Sequence, residues 1–494
     1  MNAYLQPWIA TAFCRDPRQL LVQTGEGARD ARTLFAAAGQ LAAGLAAEGL
    51  HAGDLLAVRA PAGLAFVTAF HAASWLGLRL LPVHARLSEN EVRAQREAVK
   101  PSRFLDGEAA IRECAARGAG RPTPALHRWG WQETAQVLFT SGTAGLPKAA
   151  CLSMGSLVWS VLAQAARLGA VPGDRWLACL PLFHVGGLSI LARSALLGAS
   201  VCVHEGFDAE RVSRALDEDA VSLLSLVPTT LKRLLRVRRR RKAPPALRAV
   251  LVGGAAAPPE LLAEARRSGI PALPTYGLTE TASQLATATA ADPLEVGSVG
   301  RPLPGSRVRI VDAQGKKVEA GQEGEIQVAG PTLFSGYLDN PEATARSLQD
   351  GWLHTGDVGA QDVWGRLRVF ERRADLVVTG GENVHPGEVE AVLLAHPGVA
   401  EAAVGGAPDA ELGAQVVAWV VLRGDVRLEA LVQHCREHLA AYKLPRELYS
   451  VTALPRNVSG KVLRRQLSQG PPGPGLEAGP AWLRKAPQKG PGSP

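Results

Sequence analysis

Short apolar runs alternate with helical patterns along most of this 494-residue chain. The runs "DLLAVRA", "SVCVHE", "VSLLSLVP" and "LRAVLVGG" are typical of strands, and they are followed by helical stretches such as "PPELLAEARRSG". Parallel neighbouring strands need a crossover connection, which is usually a helix. The alternation therefore predicts an α/β fold class with parallel sheets in layered subdomains.

The pattern changes twice toward the C-terminus. Between Val296 and Asp375, short strands such as "RVRIVD" and "GEIQVAG" lie between Gly, Pro and Asp turns, which predicts a small β-rich subdomain. From Asp375 onward a compact α+β pattern returns. We predict a large N-terminal domain over residues 1–371, with its β-rich subdomain at about 296–371, and a small C-terminal domain over 372–468. Residues 469–494 are rich in Pro and Gly without periodicity, which predicts a disordered tail.

Composition limits the class of protein and its partners. The chain has 47% apolar and 20% charged residues, as expected for a globular protein, and a formal net charge of +8. That charge suits small anionic substrates as readily as nucleic acid. The basic run "RVRRRRK" at 236–242 has no interleaved aromatic residue, which favours a solvated helix end over a nucleic-acid surface.

The cysteines and the N-terminus indicate a compartment. Six scattered cysteines without a CxxC pair disfavour metal and disulfide frameworks and predict a cytoplasmic protein. No basic region precedes an apolar run at the N-terminus, so we expect no signal peptide. The stretch at 62–78 is interrupted by Thr68, His71 and Ser74 and is short for a membrane span, which predicts a buried helix. The oligomeric state, monomer or homo-oligomer, stays open.

The stretch "VLFTSGTAGLPKAA" at 137–150 indicates phosphate binding. A glycine-bearing turn presents backbone N–H groups in a concave array that can hold phosphate oxygens. Thr140, Ser141 and Thr143 add hydroxyl donors, and Lys148 adds a charge that can reach the outer phosphates. The loop is not a Walker A motif, because Lys148 lies between Pro147 and Ala149. Taken alone, an ordinary glycine-rich turn is an equally good interpretation.

Further motifs decide between these interpretations. In chain order they are "TYGLTETAS" at 275–283, "HTGDVG" at 354–359, "ERRADLVVTGGENVHPGEVE" at 371–390 and "LPRNVSGKVLRRQL" at 454–467. This set resembles the adenylate-forming acyl-CoA synthetases, and the resemblance extends from about Ala31 to Leu467. It implies an enzyme that activates a carboxylic acid with ATP and passes the acyl group to coenzyme A. It also implies a small, mobile C-terminal domain.

The resemblance assigns a nucleotide site. It implies that Tyr276 stacks on adenine, that Thr279 contacts the α-phosphate, and that Glu280 binds Mg²⁺ through oxygen. Asp357 and Arg372 are implied for the ribose hydroxyls. The resemblance further implies that the phosphate loop binds the β- and γ-phosphates through Thr140, Ser141, Gly142, Thr143, Gly145 and Lys148. It also implies that the nucleotide pocket is lined by Gly253, Gly254, Ala255 and Gly277.

Two further assignments concern the half-reactions. Lys461 is implied to bridge the substrate carboxylate and the α-phosphate, where charge develops as one anion attacks another. The small domain is then implied to rotate, withdraw Lys461 and present Thr379, Gly380, Gly381 and Glu382 beside a passage for the coenzyme A thiol. Ala374 stands where the family often has a charged hinge residue, and Asp375 is an alternative pivot.

The segment "PLFHVGGLSILARS" at 181–194 is the stretch where the resemblance implies an acid pocket. His184 is implied at its mouth, with Gly187 and Ser283 in its wall. Arg193 lies in a helix that is otherwise apolar or small, where a charge costs energy unless it is paired. Arg193 therefore either emerges at the surface or pairs with a second carboxylate on the substrate.

Together with "GGENVHPGEVE" and "YGLTETASQ", this segment resembles the o-succinylbenzoate–CoA ligases of menaquinone synthesis. Their substrate is an aromatic keto diacid, and the resemblance implies that Arg193 binds its non-reacting carboxylate. The alternative is a ligase for an aryl or medium-chain acid, with Arg193 on the helix surface. Two other classes fit less well. An adenylation domain of peptide assembly would have a carrier domain downstream, and a non-catalytic nucleotide-binding module would lack Lys461 or Glu280.

Overall fold

The computed structural model describes residues 4–140, 148–169, 171–239, 241–254, 257, 259–295, 297–312, 314–371, 377–384, 386–455, 467 and 476–478. These residues form two compact units. The first contains the described residues of 1–85, 96–140 and 148–371, and the second contains those of 86–95 and 377–478.

The described helices range from 7 to 17 residues in length. Within the described residues they are α1 Trp8–Arg15, α2 Ala31–Ala47, α3 Leu64–Leu76, α4 Glu89–Val99, α5 Gly107–Gly118, α6 Met154–Leu168, α7 Val185–Leu197, α8 Ala209–Glu218, α9 Pro228–Arg238, α10 Pro259–Arg267, α11 Pro341–Ser347, α12 Pro386–Ala395 and α13 Leu428–His438.

The strands alternate with these helices through the first half of the chain. They are β1 Leu20–Thr24, β2 Gly27–Asp30, β3 Leu55–Arg59, β4 Arg79–Val83, β5 Arg103–Asp106, β6 Thr134–Thr140, β7 Lys148–Ser153, β8 Arg175–Ala178, β9 Ser200–Val203, β10 Leu223–Leu226, β11 Ala249–Val252, β12 Ala272–Leu278, β13 Ser283–Thr287, β14 Arg301–Pro302, β15 Arg307–Val311, β16 Glu323–Ala329, β17 Gly336–Tyr337, β18 Leu348–Gln349, β19 Trp352–Gln361, β20 Leu367–Glu371, β21 Val377–Thr379, β22 Glu382–Val384, β23 Val399–Asp409, β24 Gly413–Leu422, β25 Glu447–Val451 and β26 Leu476–Ala478.

The predicted α/β fold class is confirmed by the larger sheet of the first unit. Its strand order is β14-β13-β12-β11-β10-β8-β9-β1-β2, and β1 and β8 to β12 run parallel. Alternate residues of β8 and the residue directly after it pack into two different cores. Trp176 and Ala178 belong to one cluster of buried residues, and Leu177 and Cys179 to another. Two layers of helices therefore cover the two faces of this sheet.

A second sheet of the first unit holds the ends of the phosphate loop. Its order is β17-β7-β6-β4-β3-β5, with β3, β4, β5 and β6 parallel and β7 antiparallel to β6. The membrane-like stretch forms α3 here, and all of its residues from Ala65 to Leu76 are buried. That confirms the predicted buried helix. No helix among the described residues has the length and apolar character needed to cross a membrane.

A small antiparallel sheet, β15-β16-β19-β18 with β20 paired to β19, occupies the region where a β-rich subdomain was predicted. Its long strand β19 carries Asp357.

The basic run is exposed at Arg236, Arg239, Arg241 and Lys242, as a solvated helix end should be, and differs from that prediction at Arg238. Arg238 at the end of α9 is only 2% exposed, and its guanidinium contacts Asp217 at 2.9 Å. A neighbouring helix supplies a carboxylate that the local sequence pattern does not reveal.

The second unit is built on the sheet β22-β21-β24-β25-β26, with β23 paired to β24. Its first two strands form a hairpin in which Thr379 pairs with Glu382, and Gly380 and Gly381 have φ values of 56° and 91°. Positive φ at both central residues is the requirement of a type I′ turn, which glycine meets without strain. Three residues of the predicted tail, Leu476–Ala478, form β26 against β25. The rest of the tail lies outside the described residues.

Candidate active site

The phosphate loop begins and ends on paired strands. Thr140 closes β6 and pairs with Lys148, which opens β7, so the loop leaves and re-enters the sheet at one point. Ser141, Gly142, Thr143 and Gly145 lie outside the described residues. The buried hydroxyl of Thr140 has no hydrogen-bond partner among the described residues. A buried polar group of this kind is uncommon, and a phosphate oxygen would satisfy it.

Tyr337 links the lysine of this loop to Glu280. The Lys148 ammonium lies 4.9 Å from the centre of the Tyr337 ring, and the Tyr337 hydroxyl donates to Glu280 Oε1 at 2.7 Å. Glu280 is 2% exposed and lies with Thr279 in the 3-10 turn Thr279–Thr281. A carboxylate held in this way offers the hard oxygen ligand that Mg²⁺ prefers. Sequence reasoning missed Tyr337, because it lies 57 positions from Glu280 and no local pattern relates the two residues.

Tyr276 and Asp357, both implied for the nucleoside, are bonded to each other. The Tyr276 hydroxyl donates to Asp357 Oδ2 at 2.5 Å, and both residues are at most 5% exposed. This short hydrogen bond between two buried groups fixes the orientation of both side chains. Arg372, the second residue implied for the ribose, lies outside the described residues.

The glycines that follow β11 allow two loops to approach closely. A Cβ on Gly253 would lie 2.8 Å from Thr275 Cγ2, and one on Gly254, which has φ +83°, would lie 2.9 Å from Val227 Cγ1. A Cβ on Gly277 would meet the Ser283 carbonyl oxygen at 1.9 Å. Glycine is required at these points by contacts within the protein, before any ligand is considered. Ala255 lies outside the described residues.

Arg193 is buried rather than on the helix surface. It lies in the second half of α7, is 1% exposed, and has its guanidinium 5.0 Å from the centre of the Trp176 ring. Nη2 donates to Gln284 Oε1 at 3.1 Å and to Ser283 Oγ at 3.4 Å. Burial lowers the pKa of Arg193 to about 9, so the group is still a cation at neutral pH.

No carboxylate among the described residues lies within ion-pair distance of Arg193, and its Nε has no hydrogen-bond partner there. A desolvated cation that meets only neutral groups is costly to the fold. An anionic ligand would compensate this charge.

The strand that faces Arg193 is strained where it begins. Ser283 has φ +102° and Ala282 has φ +51°, values that non-glycine residues seldom adopt and that concentrate at functional sites. Gln284, the next residue, accepts from Arg193 and donates to the Thr287 and Thr275 hydroxyls at 3.0 and 3.3 Å. Sequence reasoning missed Gln284 as a partner, although it directly follows Ser283 in "TETASQ".

His184 and Gly187 form the tightly packed start of α7. His184 is the residue before the helix, and its ring lies 4.3 Å from that of Phe183, which stacks on His84 at 3.9 Å. A Cβ on Gly187 would lie 2.3 Å from the Pro181 carbonyl oxygen. The loop before α7 therefore packs directly on the first turn of the helix.

The hairpin implied for coenzyme A belongs to the second unit. Thr379 and Glu382 are 6% and 7% exposed, and the Glu382 carboxylate forms an ion pair with Arg86. Lys461 lies outside the described residues.

Comparison with known proteins places this geometry in a family. The family described as "AMP-binding enzyme" matches residues 30–338, and "AMP-binding enzyme C-terminal domain" matches residues 388–461. The 2-succinylbenzoate–CoA ligase of Bacillus licheniformis is 37% identical over 474 residues, which are 93% of this chain and 98% of that protein.

Two solved structures of the o-succinylbenzoate CoA synthetase of Bacillus subtilis are also similar. A double mutant bound with its product analogue OSB-NCoA has a TM-score of 0.89 at 33% identity, covering 96% of this chain and 99% of that one. The complex with ATP and magnesium ion has a TM-score of 0.71 at 34% identity, covering 94% and 99%. The motif resemblance is thus confirmed over nearly the whole chain, which belongs to the AMP-binding enzyme family.

Proposed function

We propose that this chain is an AMP-forming ligase that joins 2-succinylbenzoate to coenzyme A, as in menaquinone biosynthesis. The single observation that carries the choice of acid is Arg193, a buried cation that contacts only neutral side chains among the described residues. A diacid would place its non-reacting carboxylate there and its reacting carboxylate toward ATP. The similarity to named 2-succinylbenzoate–CoA ligases supports the same substrate.

The residues around Glu280 fit ATP and Mg²⁺. Lys148 and the Thr140 hydroxyl would bind phosphate oxygens, and Thr279 would contact the α-phosphate. Glu280, oriented by Tyr337, would hold Mg²⁺, which neutralises phosphate charge when it is bound. Asp357, oriented by Tyr276, would accept from the ribose hydroxyls. Thr140, Glu280 and Asp357 are buried, which strengthens their electrostatic contacts relative to water.

The reaction would proceed in two steps. The reacting carboxylate attacks the α-phosphorus and releases pyrophosphate, with Lys461 offsetting the charge that develops. The coenzyme A thiol then attacks the acyl carbon and AMP leaves. We assign the hairpin of Thr379 and Glu382 to the thiol step and His184 to the mouth of the acid pocket. The scattered cysteines without a CxxC pair support the cytoplasm as the compartment that we propose for this activity.

The test measures pyrophosphate release from ATP with a panel of acids, with and without coenzyme A. We expect release with 2-succinylbenzoate to exceed that with benzoate or a medium-chain fatty acid by at least about 100-fold, since a missing carboxylate leaves Arg193 unpaired. Mass spectrometry should then identify the 2-succinylbenzoyl thioester. Equal or faster turnover of a monoacid would instead identify an aryl or medium-chain ligase.

A further inference from the structure

Gln164 is a buried amide that the reaction described above does not use. It lies in α6 with 0% exposure, and neither its Oε1 nor its Nε2 has a hydrogen-bond partner among the described residues. A buried amide in this state costs free energy that the fold does not recover, and it is neutral, so titration offers no relief. Buried side-chain polar groups without partners are uncommon enough to need an explanation, and a ligand is one.

Contacts on either side of Gln164 place it along β13. Ser160, one turn earlier, donates to the Ala282 carbonyl at 2.6 Å. Arg167, on the following turn, donates to the Pro302 carbonyl at 2.9 Å, and Pro302 pairs with Ala286 of β13. Residues three and four apart share one helix face. The face that contains Gln164 therefore runs beside β13, from the residue directly before the strand to its fourth residue.

Arg193 reaches the same strand from the neighbouring helix. It donates to Ser283 and Gln284, and its helix α7 packs against both α6 and β13. Trp176, below the guanidinium, is 1% exposed, and its Nε1 has no partner among the described residues. Two incompletely hydrogen-bonded side chains thus lie beside β13. The neutral amide of Gln164 comes from α6, and the cationic guanidinium of Arg193 comes from α7.

We propose that Gln164 is a specificity-determining residue whose amide donates a hydrogen bond to the keto oxygen of the acid. This inference rests on the proposed function. An aromatic keto diacid has two groups to recognise besides the reacting carboxylate, namely an anion and a neutral acceptor. The cation Arg193 suits the anion, and a neutral amide donor suits the ketone. The pairing would explain why the fold keeps one group of each kind beside the same strand.

The test compares 2-succinylbenzoate with its analogue in which the ketone is reduced to a methylene group. Both acids keep both carboxylates, so the contribution of Arg193 is the same for the two. We expect Gln164→Leu to lower kcat/KM about 10- to 100-fold for the keto acid, the effect of losing one buried hydrogen bond. For the methylene analogue we expect a change below about threefold, because that acid offers no acceptor.

Gln136 supplies the matched control. It is 2% exposed, and both of its amide atoms also lack partners among the described residues, but it lies in β6 of the other sheet. Gln136→Leu should change kcat/KM equally for the two acids. If Gln164→Leu does not fold, the test uses Gln164→Met instead, because methionine preserves the side-chain length without the amide.

The outcomes separate this inference from the proposed function. Equal losses on both acids, or no loss on either, in the Gln164 variant would assign the amide to packing and overturn the inference alone. A wild-type enzyme that uses neither acid, or an Arg193 variant that handles diacids normally, would overturn the proposed function itself.

Discussion

Two arginines of the first unit are almost fully buried, yet the protein surrounds them differently. Arg238 is 2% exposed and donates to Asp217 at 2.9 Å and to the Lys242 carbonyl at 2.7 Å. Its other Nη donates to the Ser213 carbonyl and hydroxyl at 3.2 Å. Arg193 is 1% exposed and donates only to the neutral side chains of Ser283 and Gln284.

The difference separates a charge that stabilises the fold from one that the fold tolerates. The carboxylate and carbonyl groups around Arg238 compensate its loss of hydration, so the group serves structure. Arg193 receives no such compensation among the described residues, and its pKa is lowered accordingly. A residue that costs stability and contacts a strained strand is better explained by a ligand than by packing.

The largest effect that tests this comparison is on catalysis. Arg193→Leu should lower kcat/KM for 2-succinylbenzoate about 100- to several-thousand-fold, because removing one partner of a desolvated charge pair costs about 3–5 kcal/mol. For an analogue that lacks the non-reacting carboxylate, the change should be below about threefold, because that acid gives Arg193 no charged partner to lose. Steady-state pyrophosphate release with both acids measures the two values. Equal losses on the two acids would make Arg193 a folding residue.

The second test concerns the buried Glu280 carboxylate, which accepts a hydrogen bond from the Tyr337 hydroxyl. Glu280→Gln should raise the Mg²⁺ concentration needed for half-maximal activity about 10- to 100-fold, because an oxygen ligand loses its charge while the Tyr337 hydroxyl keeps an acceptor. Titration of activity with Mg²⁺ at fixed ATP measures the effect. The exposed Glu260→Gln is the control. An unchanged Mg²⁺ dependence would remove the metal role from Glu280.

The third test measures stability instead of catalysis, and it compares the Arg238 and Arg193 variants. Arg238→Leu should lower the free energy of unfolding by about 2–3 kcal/mol, the contribution of hydrogen bonds to charged groups. The expected loss in the free energy of unfolding is no larger, because Asp217 is partly exposed and keeps Arg241 as a partner. Arg193→Leu should leave the free energy of unfolding equal or higher. Urea denaturation measures the free energy of unfolding of both variants. Steady-state assays of the folded variants then give kcat/KM for both acids. Destabilisation by Arg193→Leu and not by Arg238→Leu would reverse our assignment.

The smallest expected effect is on the pH dependence of stability, and it comes from a buried basic group that can lose its proton. Burial lowers the pKa of His71 to about 3, and its Nδ1 has no partner among the described residues. The native state therefore keeps His71 neutral, while the unfolded chain binds a proton below about pH 6.5. Stability should fall as the pH drops through 6.5, by about 1 kcal/mol between pH 6.5 and 5.5 from this residue.

Comparing wild type with His71→Leu by urea denaturation at these two pH values measures that loss. The variant should lack this part of the pH dependence, and the exposed His51→Leu should retain it. If both variants keep the wild-type dependence, other groups account for it and the proton of His71 does not.

The layers and the order of motifs could be predicted because they depend on local patterns. Alternating strands and helices gave the parallel sheets, and glycine-rich turns marked the phosphate loop and the Gly380 hairpin. The partners of site residues could not be predicted in this way. Tyr337 reaches Glu280 across 57 positions, and Gln284 reaches Arg193 across 91, so no local period relates them.

The sequence by itself determined the family, the α/β class and the presence of a lone arginine in an apolar helix. It left the position of that arginine open, because a helix pattern shows which residues share a face but not what covers the face. Tertiary structure decided it by packing α7 against β13, which excludes water from Arg193 and leaves it only neutral neighbours among the described residues. The same kind of packing gave Arg238 a carboxylate. Desolvation and charge pairing depend on segments distant in the chain, so only the folded structure distinguishes the two arginines.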